Sequence, residues 1–140
     1  MRINIPVLLV AGLMSVTRVT GQQTAPAAYS SDTSVNYIRT WNAIIPMTDA
    51  GKLVLTTRGD SAKIATQYFD GLGRLLETVV RQGSMTTGSS AVDLVSPNVY
   101  DSLGREAYKY LAFAANSTGS NTHINDGLFK LNPFQEDSTF

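Results

Sequence analysis

His123 is the only histidine among the 140 residues, and there is no cysteine, so the usual carriers of nucleophilic, acid–base and thiolate chemistry are nearly absent. A general base needs an orienting partner and a proton donor within hydrogen-bond reach. His123 sits in a polar run of Ser, Thr and Asn where solvation is the expected role. Ser120 stands three residues before it, but no Gly-x-Ser-x-Gly elbow is present to make a hydrolase. Gly71-Leu72-Gly73 lacks the third glycine of a dinucleotide loop and lies between two strand-like runs instead of opening a helix. The acidic residues are dispersed, Glu136 and Asp137 would point apart in extended backbone, and no D-x-D-x-D-G calcium loop occurs. A solvated face is the expectation for them, with no catalytic residue, no metal and no cofactor. Asn116-Ser117-Thr118 matches a glycosylation acceptor, a pattern short enough to recur by chance.

The aromatic residues offer a different chemistry, stacking on sugar rings. Tyr37, Trp41, Tyr68, Phe69, Tyr100, Tyr108 and Tyr110 are spaced as in strands, where aromatic side chains ordinarily pack across strands and into cores. A glycan-binding surface headed by Tyr68 and Tyr100 is therefore the alternative reading, and packing the first.

The elements that must position these residues are clearest in Lys63 to Gln82, KIATQYFDGLGRLLETVVRQ. Two runs rich in β-branched and aromatic residues flank Asp70-Gly71-Leu72-Gly73-Arg74, and the turn recurs 31 positions on as Asp101-Ser102-Leu103-Gly104-Arg105. D-x-L-G suits a type I turn closed by a bulge, with Asp accepting from backbone N–H groups and Gly73 or Gly104 taking φ > 0. Hairpins are predicted at 63–82 and 92–113. In the first, Asp70 faces Arg74, Tyr68 faces Leu76, Thr66 faces Thr78 and Gln67 faces Glu77, so that both faces are mixed. Arg74 and Arg105 are expected to hold their turns through Asp70 and Asp101, or to lie over a neighbouring tyrosine.

An aromatic-Asp-x-Leu-Gly-Arg turn repeated between strands resembles the YD repeats of the bacterial RHS family, over Tyr68 to Val80 and Val99 to Leu111. The wider order, NYIRTW at 36–41, then YFDGLGR, VYDSLGR and KYLAF, is similar to the uncharacterised domain near the N-terminus of many secreted RHS-repeat proteins, over roughly residues 35–140. The resemblance implies a β-sheet shell wound from such repeats around a variable C-terminal segment. This chain carries no long repeat array, and would be the leading piece or a truncated product of such a protein. Implied partners are further RHS or YD-repeat segments or another chain of the same assembly, with a glycan in the alternative reading.

Charged residues make up 16% of the chain, below the roughly 25% of an average globular protein, and the net charge is zero. Without residues 1–21 the balance is nine basic to eleven acidic, so no basic field exists to hold nucleic acid. Met1 to Gly21 reads as a signal peptide: Arg2 supplies the positive start, Ile5 to Val16 the apolar run, and Val19-Thr20-Gly21 the cleavage site. That run is too short for a membrane span, and the chain is expected to be exported to the cell surface, the medium or the periplasm. Residues 22–34 are expected to form a flexible linker, and 35–140 a β-rich domain.

Within it, Val35 to Ile45 reads as a strand ended by Pro46, and Lys52 to Thr57 as a short strand between turns at Asp49-Ala50-Gly51 and Arg58-Gly59-Asp60. Gly83 to Ser90 reads as a surface loop and Asn116 to Asn121 as another polar loop, and Pro97 puts its strand at an edge or bulge. Asn125-Asp126-Gly127 marks a turn. Leu128 to Phe140 is either irregular or a short helix interrupted by Pro133. The predicted fold is mainly β, made of antiparallel hairpins, with a signal-peptide helix before it and a short irregular or helical C-terminal segment.

Overall fold

A computed structural model of the chain describes residues 26–55, 61–84, 90–117, 121 and 123–134. The expected signal peptide at 1–21, the turn at Arg58-Gly59-Asp60, most of the Gly83–Ser90 loop, Ser120 and Glu136-Asp137 lie outside them.

Strand β2, Ala62–Phe69, shows the clearest pattern: Ala62, Ile64, Thr66 and Tyr68 are buried while Lys63 and Gln67 are exposed. A period of two with one face buried is what a strand over a one-sided core requires. Around it run β1 (Asn36–Ala43), β3 (Leu75–Val80), β4 (Leu94–Tyr100), β5 (Glu106–Lys109) and β6 (Phe113–Ala114). All pairings are antiparallel, in the order β1-β2-β3-β4-β5, with β6 also pairing with β4. The fold is an open antiparallel sheet, mainly β.

The stretch expected to be a strand at Lys52–Thr57 instead begins within a short helix, α1, Ala50–Leu55. Asp49 decides this locally: its Oδ1 accepts the Gly51 N–H at 2.8 Å and its carbonyl accepts the Lys52 N–H at 3.2 Å, which caps a first helical turn.

Register is the second correction. Phe69 pairs with Leu75, but Tyr68 pairs with Glu77, Gln67 with Thr78 and Thr66 with Val79. Leu76 is an extra residue, a β-bulge just beyond the turn. Because side chains alternate, that one residue moves Glu77 and Val79 to the face of Tyr68 and Thr66, and the two faces sort into a buried and a more open one. The second hairpin repeats the device: Tyr100 pairs with Glu106, whereas Val99 pairs with Tyr108. That hairpin is also shorter than expected, since β5 ends at Lys109 and Phe113–Ala114 returns to pair with Val95 and Leu94.

Pro97 lies inside the sheet order, paired with Glu77 of β3. On the other side of β4, β6 reaches residues 94–95 and β5 residues 98–100, so Pro97 occupies the gap between them. A residue without an N–H is tolerated where no strand asks for one.

The C-terminal stretch at 121–134 crosses the buried face, and over its described part it is irregular and not helical. Its backbone is committed to the sheet: the Gly127 carbonyl accepts the Tyr68 hydroxyl at 2.9 Å, Glu77 takes the Lys130 N–H at 2.7 Å, and the Ile124 carbonyl accepts the Asp93 N–H at 2.7 Å. Those contacts satisfy groups that a helix would otherwise bond internally. The core between sheet and strap gathers Tyr68, Val79, Val95 and Ala115, with Val35, Phe113, Ile124 and Phe129 packed against them. Part of the expected linker is also docked: Tyr29 donates its N–H to the Leu131 carbonyl at 2.7 Å, and its ring meets Phe129 and Phe134. Burial pushes the Tyr29 phenol up to about 12, with Glu77 adding to the shift.

Candidate functional site

Two constellations stand out, the paired turns at one end of the sheet and a buried charge cluster beneath the strap. In the turns, Asp70 Oδ1 accepts the N–H groups of Leu72 and Arg74, both at 2.9 Å, and its Oδ2 accepts Arg74 Nε at 2.7 Å. Asp101 does the same for Leu103 and Arg105, both at 2.9 Å, and for Arg105 Nε at 2.8 Å. These donors, led by the backbone N–H of Arg74 or Arg105, hold both carboxyls below the usual aspartate range. Gly73 and Gly104 take φ of 78° and 77°, and each closes its turn onto the aspartate carbonyl.

The turns are coupled from hairpin to hairpin. The Arg74 guanidinium lies over the Tyr100 ring, 5.0 Å from its centroid, while the Tyr100 hydroxyl donates to the Leu75 carbonyl at 3.0 Å. Arg105, the equivalent of Arg74 one repeat on, has a side chain that is 74% exposed, and among the described residues no ring lies beneath it. Gly73→Val and Gly104→Val are each expected to lower stability by more than about 1 kcal/mol, because a β-branched residue is strained at positive φ. A Cβ at Gly73 meets nothing within 4 Å, whereas at Gly104 it comes within 3.0 Å of Arg74 Nη1, so only the second variant should also disturb the Arg74–Tyr100 contact. Chemical denaturation of both variants, with tyrosine fluorescence as the second readout, checks both statements.

Tyr68 and Tyr100 do not form an aromatic surface. Tyr68 is 4% exposed, with its ring against Phe129 and its hydroxyl on the Gly127 carbonyl, because the buried face of β2 carries it inward. Tyr100 is half-buried on the opposite face, by alternation from buried Val95 and Pro97. Tyr68→Phe leaves the Gly127 carbonyl without this donor, at an expected cost of about 0.5–1.5 kcal/mol measured by urea unfolding.

Beneath the strap, Lys130 is 2% exposed and Asp93 fully buried. Lys130 Nζ donates to Asp93 Oδ2 at 2.8 Å, to the His123 carbonyl at 2.8 Å and to Asp126 Oδ1 at 3.2 Å. Asp93 also accepts the N–H groups of Gln82 at 2.9 Å and Gly127 at 2.8 Å, which ties the β3–β4 connection to the strap. Glu77 is fully buried as well. Its Oε1 holds the Lys130 N–H, its Oε2 has no hydrogen-bond partner among the described residues, and burial pushes its carboxyl up to about 8 against the pull of Lys130. Burial also opposes ionisation of Asp126, yet the Leu128 N–H and the Lys130 ammonium hold it below the usual range. His123 is exposed, with Nδ1 3.7 Å from Asp126 Oδ2.

The cluster fastens the strap to the sheet. The ammonium donates to three oxygens, Asp93 accepts from three donors, and Glu77 is fully buried. Among the described residues no group of three or more His, Asp or Glu side chains is arranged to hold a metal ion. The expectation of a solvated face fails for Glu77 and Asp93. The sequence does carry a signal for these residues: Glu77 in LLETVV, Asp93 in AVDLV and Lys130 in LFKLNPF are single charges in apolar runs, and a charge in such a run must find a partner once buried.

Fold and site together define a β-hairpin module whose repeated turns are fastened by Asp–Arg pairs and whose core is closed by a buried ion pair. The chain belongs to the family described as Domain of unknown function (DUF6443), whose profile matches residues 39–140. Neither curated proteins nor solved structures provide a match.

Proposed function

We propose that this chain is a non-enzymatic, exported structural module of the RHS and YD-repeat kind, which caps or seeds a larger β-shell. The observation that carries the reading is the Arg74–Tyr100 contact and its unfilled successor. One repeat's arginine is covered by the next repeat's aromatic residue, while Arg105 presents the same guanidinium to solvent. A third aromatic-Asp-x-Leu-Gly-Arg hairpin beside β5 would place its aromatic residue over Arg105, as Tyr100 lies over Arg74. The partner is accordingly a further repeat segment, in this chain's gene product or in another chain of the assembly. Export rests on the signal-like leader. Among the described residues no helix is long and apolar enough to cross a membrane.

Lysine-reactive cross-linking in the producing cell, followed by peptide mapping from exposed Lys109 on β5, tests the partner. Cross-links to segments bearing the repeated turn pattern are expected. Recovery of Lys109 joined only to residues of its own domain would remove the proposal.

A further inference from the structure

Strand β1 is the other end of the sheet, and among the described residues it pairs with β2 alone along all of Asn36–Ala43. Antiparallel neighbours alternate between residues that exchange hydrogen bonds across the pair and residues whose N–H and C=O point the other way. The Ile44 N–H donates to the Ser61 carbonyl at 3.0 Å, and the Arg81 N–H to the Ile64 carbonyl at 2.9 Å. Residues 42, 40 and 38 therefore bond inward to β2, and Tyr37, Arg39, Trp41 and Ala43 direct their backbone groups at the open edge. The strand has no proline, no lysine and no bulge; its one charge, Arg39, is turned toward Thr66, and Tyr37 and Ile38 are 61% and 59% exposed.

We propose that this edge pairs with the same edge of a second copy of the chain, antiparallel, about a two-fold axis through Thr40. In a continuous sheet paired residues must project to one face, so the axis passes through a residue and not between two. Only Arg39 and Thr40 are central enough to engage the whole strand. An axis through Arg39 sets that guanidinium opposite itself, which is unfavourable. An axis through Thr40 places Arg39 against Trp41 of the second copy, Tyr37 against Ala43 and Ile38 against Asn42, with no like charges facing and a threonine pair at the centre. Arg39 is already held for this, since its Nε donates to Thr66 Oγ1 at 2.9 Å and its guanidinium lies 5.4 Å from the Tyr37 ring centroid. All four outward-pointing residues of each copy find partners in this register. The interface is separate from the β5 side, so it stands whether or not further repeats dock there.

The chain has no cysteine, which makes a single introduced thiol diagnostic. Sedimentation of the purified chain is expected to show a concentration-dependent dimer. Thr40→Cys should convert to one covalent dimer under mild oxidation, because the central pair is of the closer, non-hydrogen-bonded kind, and Arg39→Cys should cross-link far less. Ala43→Pro removes an outward N–H and no bond to β2, and should raise the dimer dissociation constant about tenfold or more. A wild-type chain that stays monomeric well above micromolar concentration overturns the proposal. So does a dimer that Arg39→Cys captures as well as Thr40→Cys does. Should Ala43→Pro lose its β-sheet circular dichroism, the two cysteine variants decide the matter alone.

Discussion

Asp93→Ala is expected to destabilise the chain by about 3–5 kcal/mol, the cost of removing one partner from a buried ion pair. The Lys130 ammonium would lose its fully buried counter-charge, and the Gln82 and Gly127 N–H groups would lose their acceptor. Gln82 matters here because it is the one non-glycine residue among those described with positive φ, at 49°, and the Asp93 contact helps hold it there. Lys130→Met should cost less, since Asp93 keeps its two backbone donors. The double variant Asp93→Ala, Lys130→Met should be more stable than the sum of the single effects predicts, because it removes both charges together. Guanidinium unfolding of the four proteins measures this, and a loss below about 1 kcal/mol for Asp93→Ala would show that the strap does not depend on the ion pair.

The stability of the wild-type chain is expected to fall as pH rises from about 5 to about 8, and Glu77→Gln is expected to abolish that slope. Burial raises the Glu77 carboxyl from its ordinary 4.5 to about 8 in the folded chain. Between those values the folded chain keeps a proton that the unfolded chain releases. The contribution is fully present below the lower value and lost as pH climbs to the higher, at up to about 1.4 kcal/mol per pH unit. The amide keeps an acceptor for the Lys130 N–H but does not titrate. Asp70, Asp101 and Asp126 act in the opposite sense, because their carboxyls are lowered in the fold and their contribution disappears as pH falls below the ordinary aspartate value of 3.8. Maximal stability should therefore lie in the weakly acidic range. Urea midpoints that stay flat or rise from about pH 5 to about pH 8 would show that Glu77 is ionised in the fold.

The Asp70–Arg74 and Asp101–Arg105 turns are legible because their geometry is local: an aspartate that reaches backbone N–H groups within four residues and a glycine free to take positive φ specify the bend without help from elsewhere. Asp49 is equally local, yet reading it as a turn residue missed the capped helix that follows. The bulge at Leu76 carries no comparable mark. LLETVV can be laid down with Glu77 facing out opposite Gln67 or facing in opposite Tyr68, and only the pairing partner distinguishes them.

The amino-acid order alone determined a mainly β chain with two glycine-closed hairpins 31 residues apart, because such bends and their flanking strands are short-range matters of φ, ψ and side-chain reach. The tertiary structure decided which face is the inside. A single bulged residue turns Glu77 beneath the strap, and Lys130 meets Asp93 across 37 residues of sequence; neither contact exists until sheet and strap are assembled. Pairing register and long-range ion pairs depend on atoms far apart in the chain, and no local rule carries that information.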